Sequence, residues 1–262
     1  MKTRNRFGTS VAFVLLLVAQ LCLSVAQAQI AYDNSAKVSS LANVDNLSTA
    51  SFAVAGANRV IVVGVLTGAG TPLTPSAVKW GGSGGVSLTQ HGSTLDLGAN
   101  VKLSLWRLIA PTVQTSTVYV SWAATQDEIG VLTASYTGVD QTTPLRTLAT
   151  NTGSGVSTLS VNATSVASDL VLALFGWLDS GNNAFTATVG GTQTSRQEAE
   201  GASLGYEGLL LSDLSAVGTS TSMSYDMDAA AVPDGGLAIL AAALVPASGG
   251  GSTGIILKRR KH

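Results

Sequence analysis

The sequence predicts an all-β fold: two packed antiparallel sheets forming a sandwich of jelly-roll type, preceded by an N-terminal signal helix. Three observations predict it. The composition is rich in small turn-forming residues, with 29 glycines in 262 residues, and poor in the long charged residues that favour helices, with only 11% charged. Apolar residues after Gln29 do not recur at three and four over any useful window, so no helix is expected there. Short runs of β-branched and aromatic residues alternate instead with Gly-, Pro- and Asn-containing punctuation, the pattern of many strands joined by turns.

The chain opens with Lys2, Arg4 and Arg6, then an apolar centre at Val11 to Val18 (VAFVLLLV), then Ala26-Gln27-Ala28. A basic start, a short apolar core and a small-x-small site are the parts of a secretory signal peptide, so residues 1–28 are assigned to it, with cleavage before Gln29 and export across a bacterial inner membrane. The apolar run is too short and interrupted for a transmembrane helix. The only cysteine is Cys22, within this segment, so the mature chain has no disulfide and no Cys-based metal site. Gln20 and Leu21 precede it where a lipoprotein signal needs small residues.

Strand-like runs follow in order. Arg59 to Leu66 (RVIVVGVL) is nearly continuous in Val and Ile, as a strand covered on both faces would be. Val101 to Ile109 alternates, with Val101, Leu103 and Leu105 on one face. Thr117 to Trp122 sets Val118, Val120 and Trp122 against Tyr119. Ile129 to Tyr136 runs into a corner at Gly138 to Pro144, where Gly138 can take a positive φ, Asp140 can accept from backbone further on, and Pro144 ends the ladder. Asp169 to Trp177, Leu204 to Leu211 and Thr221 to Asp226 come next, and Leu237 to Val245 is the closing strand. No short internal repeat is evident, and no linker marks a division near Thr147. Residues 29–247 are therefore one sandwich domain, and residues 248–262 a flexible Gly-rich tail with a basic end.

Several of these segments resemble, in order and spacing, a class of bacterial secreted jelly-roll-like modules. The matching residues are Asn58 to Val65, Val78-Lys79-Trp80-Gly81-Gly82, Leu105-Trp106-Arg107-Leu108, Gly138-Val139-Asp140-Gln141-Thr142-Thr143-Pro144, Ser168 to Val171, and Leu244-Val245-Pro246-Ala247. The resemblance implies a fold and an extracellular setting, and no catalytic residues. The C-terminus is also similar to exosortase-type sorting signals: Val232-Pro233-Asp234-Gly235-Gly236, an apolar stretch, then Lys258 to Lys261. Pro246 and the SGGGST run at Ser248 to Thr253 break that stretch, which favours a final strand and a tail.

Charge excludes one class of partner. Seven of the 14 basic residues lie at the two ends, so the body carries 7 bases against 15 acids, and such a surface does not suit nucleic acid. Catalytic equipment is sparse. Gly81 to Gly85 satisfies G-x-S-x-G, but no helix follows, and apart from the terminal His262 the mature chain has only His91, which reads as a surface turn residue. Asp127-Glu128 reads as a solvated turn between strands, and Glu198 with Glu200 as neighbours on one strand face. No cofactor is implied. Ca²⁺ is the one ion the residues motivate, through oxygen donors on expected loops at Asp179, Asn182, Asp226 and Asp228. Sugar-binding sandwiches stack sugars on exposed rings, which singles out Tyr119, opposite the core face, and Trp177, beside a polar loop.

The sequence therefore suggests a secreted or cell-surface, non-catalytic module with a structural or adhesive role and extracellular polysaccharide or cell-surface partners. The alternative is a carbohydrate-binding module, with or without Ca²⁺, and the third reading is a glycan-active enzyme.

Overall fold

Residues 29–68, 70–98, 100–178, 185–200, 207–227 and 235–248 are described by a computed structural model of the chain. Among them every regular element is a strand, and every ladder is antiparallel. The first half contains β1 (Ala31–Ser40), β2 (Val44–Ser48), β3 (Phe52–Val54), β4 (Val60–Gly68), β5 (Ala77–Trp80), β6 (Val86–Ser87), β7 (Thr89–Gln90), β8 (Leu95–Leu97), β9 (Val101–Ile109), β10 (Gln114–Ser116), β11 (Val118–Gln126) and β12 (Glu128–Thr137). The second contains β13 (Ala149–Gly153), β14 (Thr158–Thr164), β15 (Leu170–Leu178), β16 (Ala187–Val189), β17 (Thr194–Glu200), β18 (Glu207–Ser215), β19 (Ser220–Met227) and β20 (Gly236–Leu244).

The chain traces one path twice. In the first half an inner sheet has the order β1-β12-β4-β9-β7, with β8 also on β9, and an outer sheet has the order β2-β11-β5-β6. In the second half the inner order is β13-β20-β15-β18-β17 and the outer order β14-β19-β16. Strand for strand, β1, β12, β4 and β9 are matched by β13, β20, β15 and β18, and β2, β11 and β5 by β14, β19 and β16. Packed antiparallel sheets are thus present, as expected, but as two pairs rather than the single pair the sequence suggested, and Gln29–Ala247 form one compact unit. A small β3–β10 ladder completes the first half.

Period-two geometry explains how the layers stack. Even-numbered residues of β4 and β12, such as Val62, Leu66 and Leu132, share a core with even-numbered residues of β15 and β20, such as Leu174 and Leu240. The inner sheets therefore pack face to face. Their odd-numbered residues point the other way, Val63 and Val131 toward Trp80 and Val120, and Phe175 and Ile239 toward Met223 and Tyr225. Covered on both faces, β4 and β20 are buried at every position, which accounts for their continuous apolar runs. The outer strands are covered once and alternate, as β19 does along its whole length.

Two details lock this arrangement. A Cβ on Gly64 would overlap the end of Leu174, and one on Gly176 would lie 3.3 Å from Leu103, so glycine on each inner sheet receives leucine from the other. The corner that ends the first half is stitched to the residues that end the second. Asp140 N–H donates to the Val245 carbonyl, Val245 N–H to that of Pro144, and Ala247 N–H to that of Gly138. Gly138 has φ 73°, and Asp140 Oδ1 accepts from the N–H groups of Thr142 and Thr143 at 2.8 and 2.7 Å. The Gly138 to Pro144 and Leu244 to Ala247 segments are thus one structural joint, and Gln141 serves it too, donating to the Arg59 and Val139 carbonyls.

Candidate functional site

Polar groups meet between the inner sheets at two places. The first lies where β4, β12 and β18 present their ends. Glu128 opens β12 and has the parity of Leu132 and Tyr136, so it faces the second half. Glu207 opens β18 with the parity of Leu209 and Leu211, so it faces the first. Between them stands Gly68, the cross-strand partner of Glu128. A Cβ on Gly68 would lie 2.8 Å from both Glu128 Oε2 and Glu207 Oε2, so only the missing side chain lets the two carboxyl groups converge.

Glu207 is only 2% exposed, and neither of its oxygens receives a hydrogen bond from a protein donor. Burial, then the charge and contact of Glu128, then the charge of Asp127, push its carboxyl up to about 10. Asp127 Oδ1 is also buried without a donor. Asp127-Glu128 is therefore not the solvated turn its sequence suggests: the start of β12 is roofed by the second half, and Glu128 is half-buried against Glu207.

The second place is a cavity of about 440 Å³ lined by Tyr32, Thr192, Thr194, Arg196, Asp213 and Ser215 among others. Its charges are already partnered. Arg196 Nε and Nη2 donate to the two Asp213 oxygens at 2.6 and 2.8 Å, and the guanidinium lies over the Tyr32 ring at 4.4 Å. Tyr136 Oη donates to Asp213 Oδ2 at 2.9 Å across the interface between the inner sheets. Burial, then the negative charge of Asp213, hold the Tyr136 phenol well above its usual range, so it stays a donor. This is a satisfied cross-brace, whereas the Glu128–Glu207 meeting is not. A similar closed pair joins Arg146 to Asp169, whose carboxylate also accepts from Val166 N–H at 2.8 Å.

The residues singled out from sequence are scattered. Tyr119 is half-buried on β11, turned away from the core on the rung between Ser48 and Lys79. Trp177 corrects an expectation: it is fully buried and offers no ring face to a sugar. Odd positions of β15 pack against the outer sheet, and Trp177 lies there beside Phe175, with ring centroids 5.6 Å apart. Trp80, Trp106 and Trp122 are buried too. Asp226 is not on a loop but on β19, exposed, accepting from Thr158 Oγ1 at 2.8 Å. Asp179, Asn182 and Asp228 lie outside the described residues. Gly81 to Gly85 is the hairpin between β5 and β6, with Gly85 N–H donating to the Gly82 carbonyl. His91 is half-buried rather than a free surface residue. Its Nε2 lies 3.0 Å from the Arg146 carbonyl oxygen, and burial holds the imidazole below its usual range.

Sequence reading missed Glu207. The available signal was an acid placed directly before a run, Gly208 to Leu211, that reads as covered on both faces. Among the described residues no three His, Cys, Asp or Glu side chains gather as a ready metal centre. No family model, curated protein or solved structure matches the chain.

Proposed function

We propose that the chain is an exported, non-catalytic module of jelly-roll type, duplicated within one body, with a structural or adhesive role outside the cell or on its surface. The observation that carries this reading is the exterior of the second half. Thr158, Ser160, Asn162 and Thr164 of β14 stand opposite Asp226, Ser224, Ser222 and Ser220 of β19, a sheet face of hydroxyl, amide and carboxylate groups without a lysine or arginine. Such a face is wet, charge-poor and regular, suited to lateral contact with hydroxyl-bearing surfaces. The strand orders β1-β12-β4-β9 and β2-β11-β5-β6 are those of an eight-stranded roll and support the jelly-roll assignment. Residues 1–28 have the parts of an export signal, which supports a secreted or cell-surface location. Cutting at Val232-Pro233-Asp234 as a sorting signal would remove β20 from between β13 and β15, which favours the strand-and-tail reading of the C-terminus.

The test is adhesion of the exported protein to cell envelopes and polysaccharide-coated surfaces, compared with a Ser160→Glu/Ser222→Glu variant. Adhesion lost in the variant, with an unchanged melting temperature, supports the proposal. Release of reducing ends from a polysaccharide panel, abolished by Glu207→Gln, would replace it with a glycan-active enzyme. The half-exposed ring of Tyr119 favours carbohydrate binding as a second reading, for which glycan-array signal must fall on Tyr119→Ala.

A further inference from the structure

We propose that Glu128 and Glu207 hold a hard divalent cation, Ca²⁺, between the two inner sheets. The reasoning is independent of any adhesive role. Two carboxyl groups placed face to face with no other protein donor must either share a proton or hold a cation between them. Neither Glu207 oxygen has a donor, Asp127 Oδ1 has none, and Glu207 is 2% exposed, so bulk water does not meet the need. No positive side chain bears on Glu207: the charges that do are Glu128 and Asp127. Lys102, Lys37 and Arg196 of the inner sheets are committed elsewhere, to Asp96, the Glu198 carbonyl and Asp213.

Gly68 makes room. The point a Cβ would take lies against both Glu207 oxygens and 2.8 Å from Glu128 Oε2, so any other residue there would push the two carboxyl groups apart. The ligands are all oxygen, which selects Ca²⁺ or Mg²⁺ over zinc, copper or iron. Mg²⁺ gives up its waters reluctantly and needs near-ideal octahedral geometry, whereas Ca²⁺ tolerates the irregular arrangement of carboxylates brought together from different strands at a buried place. Ca²⁺ accepts such a set with water completing its shell, at the affinity of extracellular modules, about 10⁻⁴–10⁻³ M. This site differs from the oxygen-rich loop residues noted in the sequence, since it joins the start of β12 to the start of β18. The ion would clamp the two halves at the end opposite the Tyr136–Asp213 brace.

The experiment is calorimetric titration of the full exported protein with CaCl₂ after EDTA treatment, with melting temperatures in parallel. The expected result is one Ca²⁺ per chain and a Tm rise of about 3–10 °C at about 10 mM CaCl₂. Glu207→Gln and Glu128→Gln should each weaken binding at least about tenfold, while Asp226→Asn should leave it unchanged. No heat and no Tm rise in the wild-type protein would mean that a shared proton alone neutralises the pair, and would overturn the proposal whatever the variants do. Binding retained in both Gln variants, or lost in Asp226→Asn, would place the ion elsewhere and overturn it too. If Glu207→Gln does not fold, Glu128→Gln, altered at a half-buried residue, decides the matter.

Discussion

Gly64→Ala tests the packing of the inner sheets on one another. The new methyl would overlap Leu174 Cδ1 and sit 2.7 Å from Cδ2 and 3.0 Å from Cγ, at a point where Leu174 is fully buried. Overfilling a dense core costs about 1–3 kcal/mol, while the loss of glycine's freedom in the unfolded chain returns about 0.4–1 kcal/mol. The net expectation is a destabilisation of about 1–2 kcal/mol, or a Tm lowered by about 2–8 °C for a domain of this size. Leu174→Ala alone should cost about 2–5 kcal/mol through the cavity it leaves. Combined, the two should cost less than their sum by about 1 kcal/mol or more, because the added methyl fills part of that cavity. Urea unfolding followed by tryptophan fluorescence measures all four members of the cycle, since Trp80 and Trp177 report on separate halves. Strict additivity, or a stabilising Gly64→Ala, would refute the face-to-face packing. Two separate transitions in the wild-type protein would refute the single body.

Other outcomes follow from individual contacts. Tyr136→Phe removes the donor to Asp213 but leaves Arg196 in place, so it should cost about 1–2 kcal/mol in chemical denaturation and still yield a cooperative transition. Trp177→Ala should cost about 3–5 kcal/mol and leave any glycan-array signal of the folded fraction unchanged, because the ring is enclosed. Asp140→Ala removes the acceptor for two backbone N–H groups and should cost about 0.5–1 kcal/mol at neutral pH, a modest value because the carboxylate is solvated. Hydrogen bonds from Thr143 and then Thr142 lower the Asp140 pKa in the folded state. That stabilisation is therefore present above the unfolded-state value of 3.8 and is lost as pH falls through the lower folded value. Wild-type and variant stabilities should converge on acidification below pH 3.8, and a gap that persisted there would argue against the carboxylate as its source.

Much of this protein was legible from the order of its residues. Period-two alternation in β11 and β19 marks strands covered once, and the unbroken runs in β4, β15 and β20 mark strands covered twice, because a strand's two faces read out on alternate residues. The corner at Gly138 to Pro144 was readable for the same local reason: a positive φ, an acceptor and a missing N–H are properties of single residues. The exposure of Trp177 was not readable, since nothing local distinguishes a strand end beside a polar loop from one roofed by another sheet. The duplication was hidden by the packing it creates. The fifth residue is Gly64 in β4 and Leu174 in β15, and the seventh is Leu66 and then Gly176, because a projection on one half needs a hollow on the other.

By itself, then, the sequence marked the long covered strands, their apolar faces and the main turns, all matters of neighbouring residues, but not the weakly patterned strands such as β1, β2, β13 and β14. Which sheet covers which face, and the meeting of Glu128 with Glu207 over Gly68, were decided only by tertiary structure. Those partners are distant along the chain, and their encounter depends on how the two halves stack.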